Sequence, residues 1–382
     1  MKDKLHLQTI VSRFLEDTHQ RHPLNAVQWK VMRHITQCRT PALGGQFVQC
    51  GECGFSQHRY HSCRNRHCPQ CQQRATQQWC ERQRRHTLPV TYYHVVFTLP
   101  DSLNPWVACH AAVIYRCLFA AVWHTIKTFG ADAKRLHGEM GMSAVLHTWG
   151  QSLTRHVHLH CLIPGGAFTA HGQWAAAKST YLFPVRALSR HFRGHMVSAL
   201  RKAYRNGECP LLSAARVTAD LNRLMQSDWV VYSKAYIKQA DSVVNYLGRY
   251  THKIALSESR LRAVTEEQVV FDVKDYRTGT TQAMALSGVE FLRRFLLHVL
   301  PPGFMRVRHY GFLANRVRET KLTQIRDCLH QNDRRRHTPG ANRSDVTSTP
   351  SAPKPCPCPR CRTGRLRVRY EIAPRALAEG VT

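Results

Sequence analysis

At 382 residues the chain has room for one large domain or two to three smaller ones, each with a real core. Its 55 Lys and Arg against 24 Asp and Glu give a net charge of +31, which persists only where a polyanion neutralises it, so nucleic acid is the leading partner. A membrane role lacks a carrier: the longest apolar stretch, Trp106 to Phe129, is interrupted by His110, Arg116, His124 and Lys127, and the N-terminus has no apolar signal run.

Residues 3–37 predict two helices broken at His22-Pro23, where proline suits a helix start. Residues 46–71 are rich in Cys, His and Arg, and a polar basic helix resumes from Gln72 to Arg85. Of the 15 cysteines, several fall in C-x-x-C pairs, which in a large basic chain points to reduced thiols holding metal, not to disulfides. Cys50-Gly-Glu-Cys53 and Cys68-Pro-Gln-Cys71 form C-x2-C-x14-C-x2-C, close to the spacing of a structural zinc ribbon. Each pair on a tight turn aims two thiolates at one tetrahedral Zn2+. Cys63, His58, His61 and His67 lie between the pairs as substitute ligands, and buried inert thiols are the plain alternative. Arg59, Arg64, Arg66, Arg74, Arg82, Arg84 and Arg85 surround this site. A zinc-stapled basic module of this kind is expected to grip nucleic acid, with Arg64 and Arg66 among its contacts.

Thr91 to Leu99, ending at Pro100, predicts a buried strand, and helical stretches follow to about Phe129. The apolar runs Ser143–Trp149 and His156–Ile163, with Gly150–Arg155 between them, predict an antiparallel pair. On the second run His156, His158 and His160 share one face, with Val157 and Leu159 on the other. Uncompensated, three adjacent imidazoles repel when protonated. A divalent cation held by the neutral rings resolves this and adds positive charge where a phosphate binds. His147, on the neighbouring strand, leads as the third ligand, with Gln151 and His156 as alternatives.

A basic helix over 185–205, a strand at Trp229–Ser233 and a helix over about 241–251 come next. In the last, Tyr246 and Tyr250 are four apart, so both hydroxyls emerge on one face. An apolar stripe with Val243 and Leu247 accounts for the pair by itself. Arg249, His252 and Lys253 shift the balance, because positive charge around a phenol suits phosphate and activates a tyrosine nucleophile. A hairpin over 268–286 turning at Arg277–Thr280 and helices at Glu290–Leu300 and Phe312–His330 follow. The expected division is a helical and zinc-binding DNA-binding domain at 1–88, a nuclease domain at 89–265 with an extension at 266–330, a linker at 331–355, and a basic tail at 356–382. Cys356, Cys358 and Cys361 of the tail have metal-binding potential, but no second pair lies nearby in sequence.

The order Phe97-Thr-Leu-Pro100, His158-Leu-His160, Tyr246-x3-Tyr250 resembles the HUH endonucleases, which include replication initiators, relaxases and rolling-circle transposases. More closely, the chain is similar to the two-tyrosine transposases of the insertion sequence ninety-one family and the related common-region elements. The matching stretches are Ser62–Cys71, Ala144–Gln151, His158–Gly166, Tyr246–His252 and Arg308–Asn315, together covering roughly residues 40 to 320. The resemblance implies an α+β fold, in which a central antiparallel sheet flanked by helices carries the histidines behind an N-terminal zinc module. It implies that His158 and His160 hold Mg2+ or Mn2+ on the scissile phosphate of single-stranded DNA. One tyrosine then attacks, leaving a 5'-phosphotyrosine and a free 3'-hydroxyl, and the second permits strand transfer without ATP. The implied partners are single-stranded DNA and hairpin ends of a mobile element, target DNA, and host replication or helicase proteins, in the bacterial cytoplasm at the nucleoid. The chain has no Gly-x4-Gly-Lys-Ser/Thr loop of its own to drive unwinding. The rivals are a three-carboxylate transposase, a non-catalytic zinc-binding DNA-binding protein, and an initiator or relaxase of the HUH class.

Overall fold

The computed structural model describes residues 5–177, 181–236, 248, 255–275, 278–336 and 357–375. The first helix, α1 (Leu7–Arg21), buries Leu7, Ile10, Val11, Phe14 and Thr18, the spacing of one helical face. After Pro23, α2 (Ala26–Gln37) starts at a capping box in which Asn25 and Gln28 satisfy each other's backbone N–H groups. A hairpin follows, β1 (Gly45–Cys50) and β2 (Ser56–Tyr60), and then α3 (Pro69–Arg84), with proline at its first position.

The central layer begins with β3 (Tyr92–Thr98) and the long helix α4 (Asn104–Ala131). Next come β4 (Gly141–Trp149), β5 (Arg155–Pro164), the small pair β6 (Gly166–Phe168) and β7 (Trp174–Ala176), helices α5 (Val185–Arg205) and α6 (Ala214–Gln226), and β8 (Val231–Tyr236). The expected antiparallel pair is β4–β5, in a five-stranded antiparallel sheet that places β5 at its centre and β3 beside it. Alternation sorts the sheet into two faces. Val157, Leu159, Cys161 and Ile163 of β5 join Val95, Phe97, Ala144 and Leu146 in the main core under α4, α5 and α6. By length and composition α4 suffices to cross a membrane, but Trp106, Ile114, Leu118, Phe119, Val122 and Ile126 are buried in this core. Truncating one such side chain to alanine costs about 2–5 kcal/mol.

The remaining elements disperse over the molecule. β9 (Leu261–Val264), β10 (Gln268–Lys274) and β11 (Thr281–Ser287) form a meander that runs into α7 (Gly288–Leu296). Phe271, Phe291, Leu292 and Phe295 of this group share a second core with Leu7, Ile10, Val11, Met32 and Ile35 of the N-terminal helices. β12 (Val307–Gly311) adds to the central sheet beside β4. Gly311 sits at φ +58, and a Cβ there would collide with the Met140 carbonyl oxygen, so glycine is obligatory. α8 (Arg318–Arg336) extends past the point where a linker was expected and seats Leu322 and Ile325 against Leu88 and Phe312. Finally β13 (Leu366–Ile372), in the region expected as a tail, pairs with β1 and completes a three-stranded sheet with the N-terminal hairpin.

Candidate catalytic site and metal centres

The second face of the central sheet is polar where the first is apolar. Register sets His147 opposite His158 and Val145 opposite His160 across β4–β5, and Val96 opposite His160 across β3–β5. His147, His158 and His160 thereby bring one ligating nitrogen each to within 4.8 Å of one another. His147 and His160 are buried and His158 is partly exposed, so the cluster opens to one side. The Nδ1 of His158 donates to the His156 carbonyl oxygen at 3.0 Å, and the Nδ1 of His160 meets the Nε2 of His94 at 2.9 Å. With Nδ1 engaged in both rings, Nε2 is the nitrogen left for a ligand, the orientation outer partners give to metal-bound imidazoles. Burial, with His156 adding to it, holds His158 down to about 4, and burial with His147 and His158 holds His160 well below the ordinary range. Both rings are therefore neutral at pH 7 and present lone pairs to a cation.

Three residues outside the predicted set build the rest of this face. His94 was part of the predicted strand, but its role as the support of His160 carries no signal unless β3 is known to lie beside β5. Trp149 stacks on His147 with ring centroids 4.4 Å apart, and the buried Arg306 guanidinium lies 5.7 Å from the Trp149 ring centroid. Of the two alternative third ligands, His156 lies 3.9 Å from the Asp101 carboxylate, and Gln151 contacts Lys274 and Arg260 through its amide and carbonyl oxygens.

The cysteines form two four-thiol clusters, Cys38, Cys63, Cys68 and Cys71 in one and Cys50, Cys53, Cys358 and Cys361 in the other. The single site expected from the C-x2-C-x14-C-x2-C spacing is thus corrected: its two pairs belong to different centres. The reason is the hairpin. Cys50 and Cys53 lie at its turn, while Cys68 and Cys71 lie beyond its open end, where Cys38 approaches from α2. Five residue steps along β1, at about 3.3 Å each, put the two ends roughly 16 Å apart. At the turn, Leu366 pairs with Cys50, which brings the preceding Cys358 and Cys361 alongside. Sγ–Sγ separations are 3.6 Å for Cys38–Cys71 and Cys63–Cys71, 3.8 Å for Cys50–Cys361 and 3.6 Å for Cys53–Cys358. These match the edge of about 3.8 Å that a tetrahedron with Zn–S bonds of about 2.3 Å requires, and exceed the roughly 2.05 Å of a disulfide. The thiols also polarise one another. Cys38 falls to about 7 through the Cys63 thiol, and Cys361 to about 6 through the Thr363 hydroxyl, whereas Cys63 and Cys68 are pushed up by the Cys38 thiol. Four thiols this close cannot all ionise alone, and a bound Zn2+ removes the conflict.

The family model described as "Transposase zinc-binding domain" matches residues 10–99, and the one described as "Putative transposase" matches residues 141–321. The chain is 45% identical to "Putative transposase y4qJ" of Sinorhizobium fredii over 319 residues, covering 81% of this chain and 80% of that protein. It is 28% identical over 320 residues to "Transposase for insertion sequence element IS801" of Pseudomonas savastanoi pv. phaseolicola, covering 80% of this chain and 75% of that one. The chain belongs to the insertion sequence ninety-one family of transposases. No solved structure shows a significant match.

In this transposase the zinc-binding domain is docked onto the histidine-bearing sheet. Trp79 and Cys80 of α3 pack on Tyr92, Val145 and Leu162, which project from the histidine face. His67, considered above as a zinc ligand, instead accepts the Leu300 N–H at 3.1 Å and faces the Asn65 side-chain oxygen at 3.0 Å. Arg66 donates to the Pro301 and Phe304 carbonyl oxygens, so it ties the zinc domain to the loop before β12. Arg64 is exposed. Tyr246, Tyr250, Arg249 and Lys253 lie outside the described residues. Gly248, between the tyrosines in sequence, is helical and buried, and has no room for a Cβ against the Cys80 thiol.

Proposed function

We propose that this transposase cuts and rejoins single-stranded DNA through a tyrosine, in the manner of the HUH enzymes. The observation that carries this reading is the convergence of His147, His158 and His160 within 4.8 Å on the polar face of the central sheet, in a chain of this family. Three imidazoles, two of them held neutral by burial, suit a divalent cation that also takes substrate oxygens. When bound, Mg2+ or Mn2+ would polarise the scissile phosphate and stabilise the charge on the departing oxygen.

The protein's own groups do the rest. Either Tyr246 or Tyr250 supplies the phenolate oxygen that attacks phosphorus. The P–O3' bond breaks, the proton given up by the phenol is returned through solvent to the departing 3'-oxygen, and the 5' phosphate stays on the tyrosine as a phosphodiester. Reversal of the same exchange by a 3'-hydroxyl rejoins a strand, so bond energy is conserved and no ATP is needed. The second tyrosine allows a second cut before the first is resolved. The contact between Gly248 and Cys80 supports this assignment, because Cys80 packs on the sheet face that bears the histidines. Arg249 and Lys253 beside the tyrosines, with Arg64 on the zinc domain, are the phosphate contacts in this reading, and the +31 charge makes counterion release a large share of the affinity. Hairpin ends and target DNA are the substrates, host replication or helicase proteins expose the strand, and the setting is the cytoplasm. A regulator that only binds DNA leaves the histidine cluster without a task.

The test is cleavage of a labelled single-stranded element end. EDTA should stop it, added Mn2+ or Mg2+ should restore it, and His158→Ala should resist restoration. Undiminished cleavage after thorough metal removal would refute the metal assignment.

A further inference from the structure

A fourth group of ligating side chains lies away from the histidine face of the sheet and from both cysteine clusters, on the helices that back the sheet. His124 of α4 and His191 and His195 of α5 each bring a ligating nitrogen within 4.8 Å of the others. His191 and His195 are four apart on one helix, so both rings face the same way. Ring centroids are 3.7 Å apart for His124–His195, 4.5 Å for His191–His195 and 5.7 Å for His124–His191.

Two of the rings are held from outside. The Thr125 hydroxyl lies 3.1 Å from the Nδ1 of His191, and the Thr128 hydroxyl lies 3.3 Å from the Nδ1 of His124. Each contact occupies Nδ1 and turns Nε2 to the ligating position, as outer partners do for metal-bound histidines. The edge of Phe129 packs on His191 with centroids 5.5 Å apart and fixes that ring further. His124 is exposed and the other two are half-buried, so an ion reaches them from solution. Burial and the neighbouring imidazoles keep His191 and His195 below the ordinary histidine range, hence neutral at pH 7.

We propose that His124, His191 and His195 form a surface site for a borderline transition cation of the Zn2+ kind, which staples α4 to α5. With no substrate phosphate oxygens to complete the coordination sphere, an all-imidazole set favours Zn2+, Ni2+ or Cu2+ over Mg2+ and Ca2+, which take oxygen ligands. Tetrahedral coordination with Zn–N bonds of about 2.0–2.1 Å needs nitrogens about 3.3 Å apart, which small ring rotations achieve from the observed spacing. The fourth position is left to water. The staple would tighten the helical layer that supports the catalytic strands, without touching the DNA-facing side.

The experiment uses the full-length, tag-free chain with its cysteine zinc retained. His158→Ala with His160→Ala removes the other histidine cluster as a competitor. Dialysis against micromolar free Zn2+ should then load one zinc per chain more than in the same background carrying His191→Gln and His195→Gln. The melting temperature should rise with added Zn2+ only where the three histidines are intact. Because His124 is exposed, His124→Gln keeps the fold and should weaken this zinc at least tenfold, which tests the proposal even if the α5 variant unfolds. Equal zinc counts in all three proteins would overturn the site. Binding without a rise in melting temperature would overturn the staple.

Discussion

The Sγ atoms of Cys53 and Cys358 lie 3.6 Å apart although 305 residues separate them in the chain. The contact closes the N-terminal hairpin onto β13, so the zinc-binding domain is assembled from both ends of the described chain. We predict two tightly held zinc ions in the cysteine clusters. Cys358→Ser or Cys361→Ser should lower that count to one and release residues 357–375 to proteolysis, while the cluster at Cys38 survives. Structural zinc contributes folding energy on the order of 10 kcal/mol in small modules, so Cys68→Ser should cost far more stability than a surface change. Elemental analysis with limited proteolysis checks this, and an unchanged count of two in Cys358→Ser would contradict it.

His94 should act on the metal through His160. Its Nε2 lies 2.9 Å from the Nδ1 of His160, and partners of this type typically alter metal affinity or activity about 10–100-fold. His94→Phe should therefore raise the Mn2+ concentration needed for half-maximal cleavage by that factor, with cleavage at saturating metal largely kept. His94→Gln, which retains a hydrogen-bonding group, should fall between. A Mn2+ titration of the cleavage rate makes the comparison.

His298 predicts how stability depends on pH. The ring is buried, faces the Thr148 hydroxyl through Nδ1 at 3.2 Å and donates from Nε2 to the Leu153 carbonyl oxygen at 3.0 Å. Burial holds its pKa down to about 4, against an ordinary 6.5. Between these values the unfolded chain binds the extra proton, so the contribution is fully present above pH 6.5 and is lost as pH falls towards 4. The loss is on the order of 3 kcal/mol. Denaturant titrations across this range should show a flatter profile for His298→Gln than for wild type, and parallel profiles would refute the assignment.

The histidine site was legible because its geometry is local. β4 and β5 are joined by a short turn, alternation fixes which residues share a face, and pairing then sets His147 opposite His158. The cysteine partners were not legible. The x14 spacing reads as one ribbon, but it conceals β2, which carries the second pair to the far end of the hairpin. Cys38 is solitary in sequence and Cys358 is remote, so neither advertises its partner. The same limit explains why the meander of β9 to β11 and α7 shares a core with α1 and not with the sheet: periodicity says which face is buried, and nothing about what covers it.

Under the proposed function a tyrosine of this chain becomes covalently bound to DNA, and the direct measurement is a denaturing gel of the protein incubated with a 5'-phosphate-traceable single-stranded element end and Mn2+. Wild type should yield a protease-sensitive adduct joined to the 5' phosphate, with a free 3'-hydroxyl on the released strand. Tyr246→Phe combined with Tyr250→Phe keeps both rings and removes both phenolic hydroxyls, so it should bind the same DNA yet form no adduct. An adduct of unchanged yield in that double variant, or cleavage by wild type with no covalent species at any time, would contradict the account.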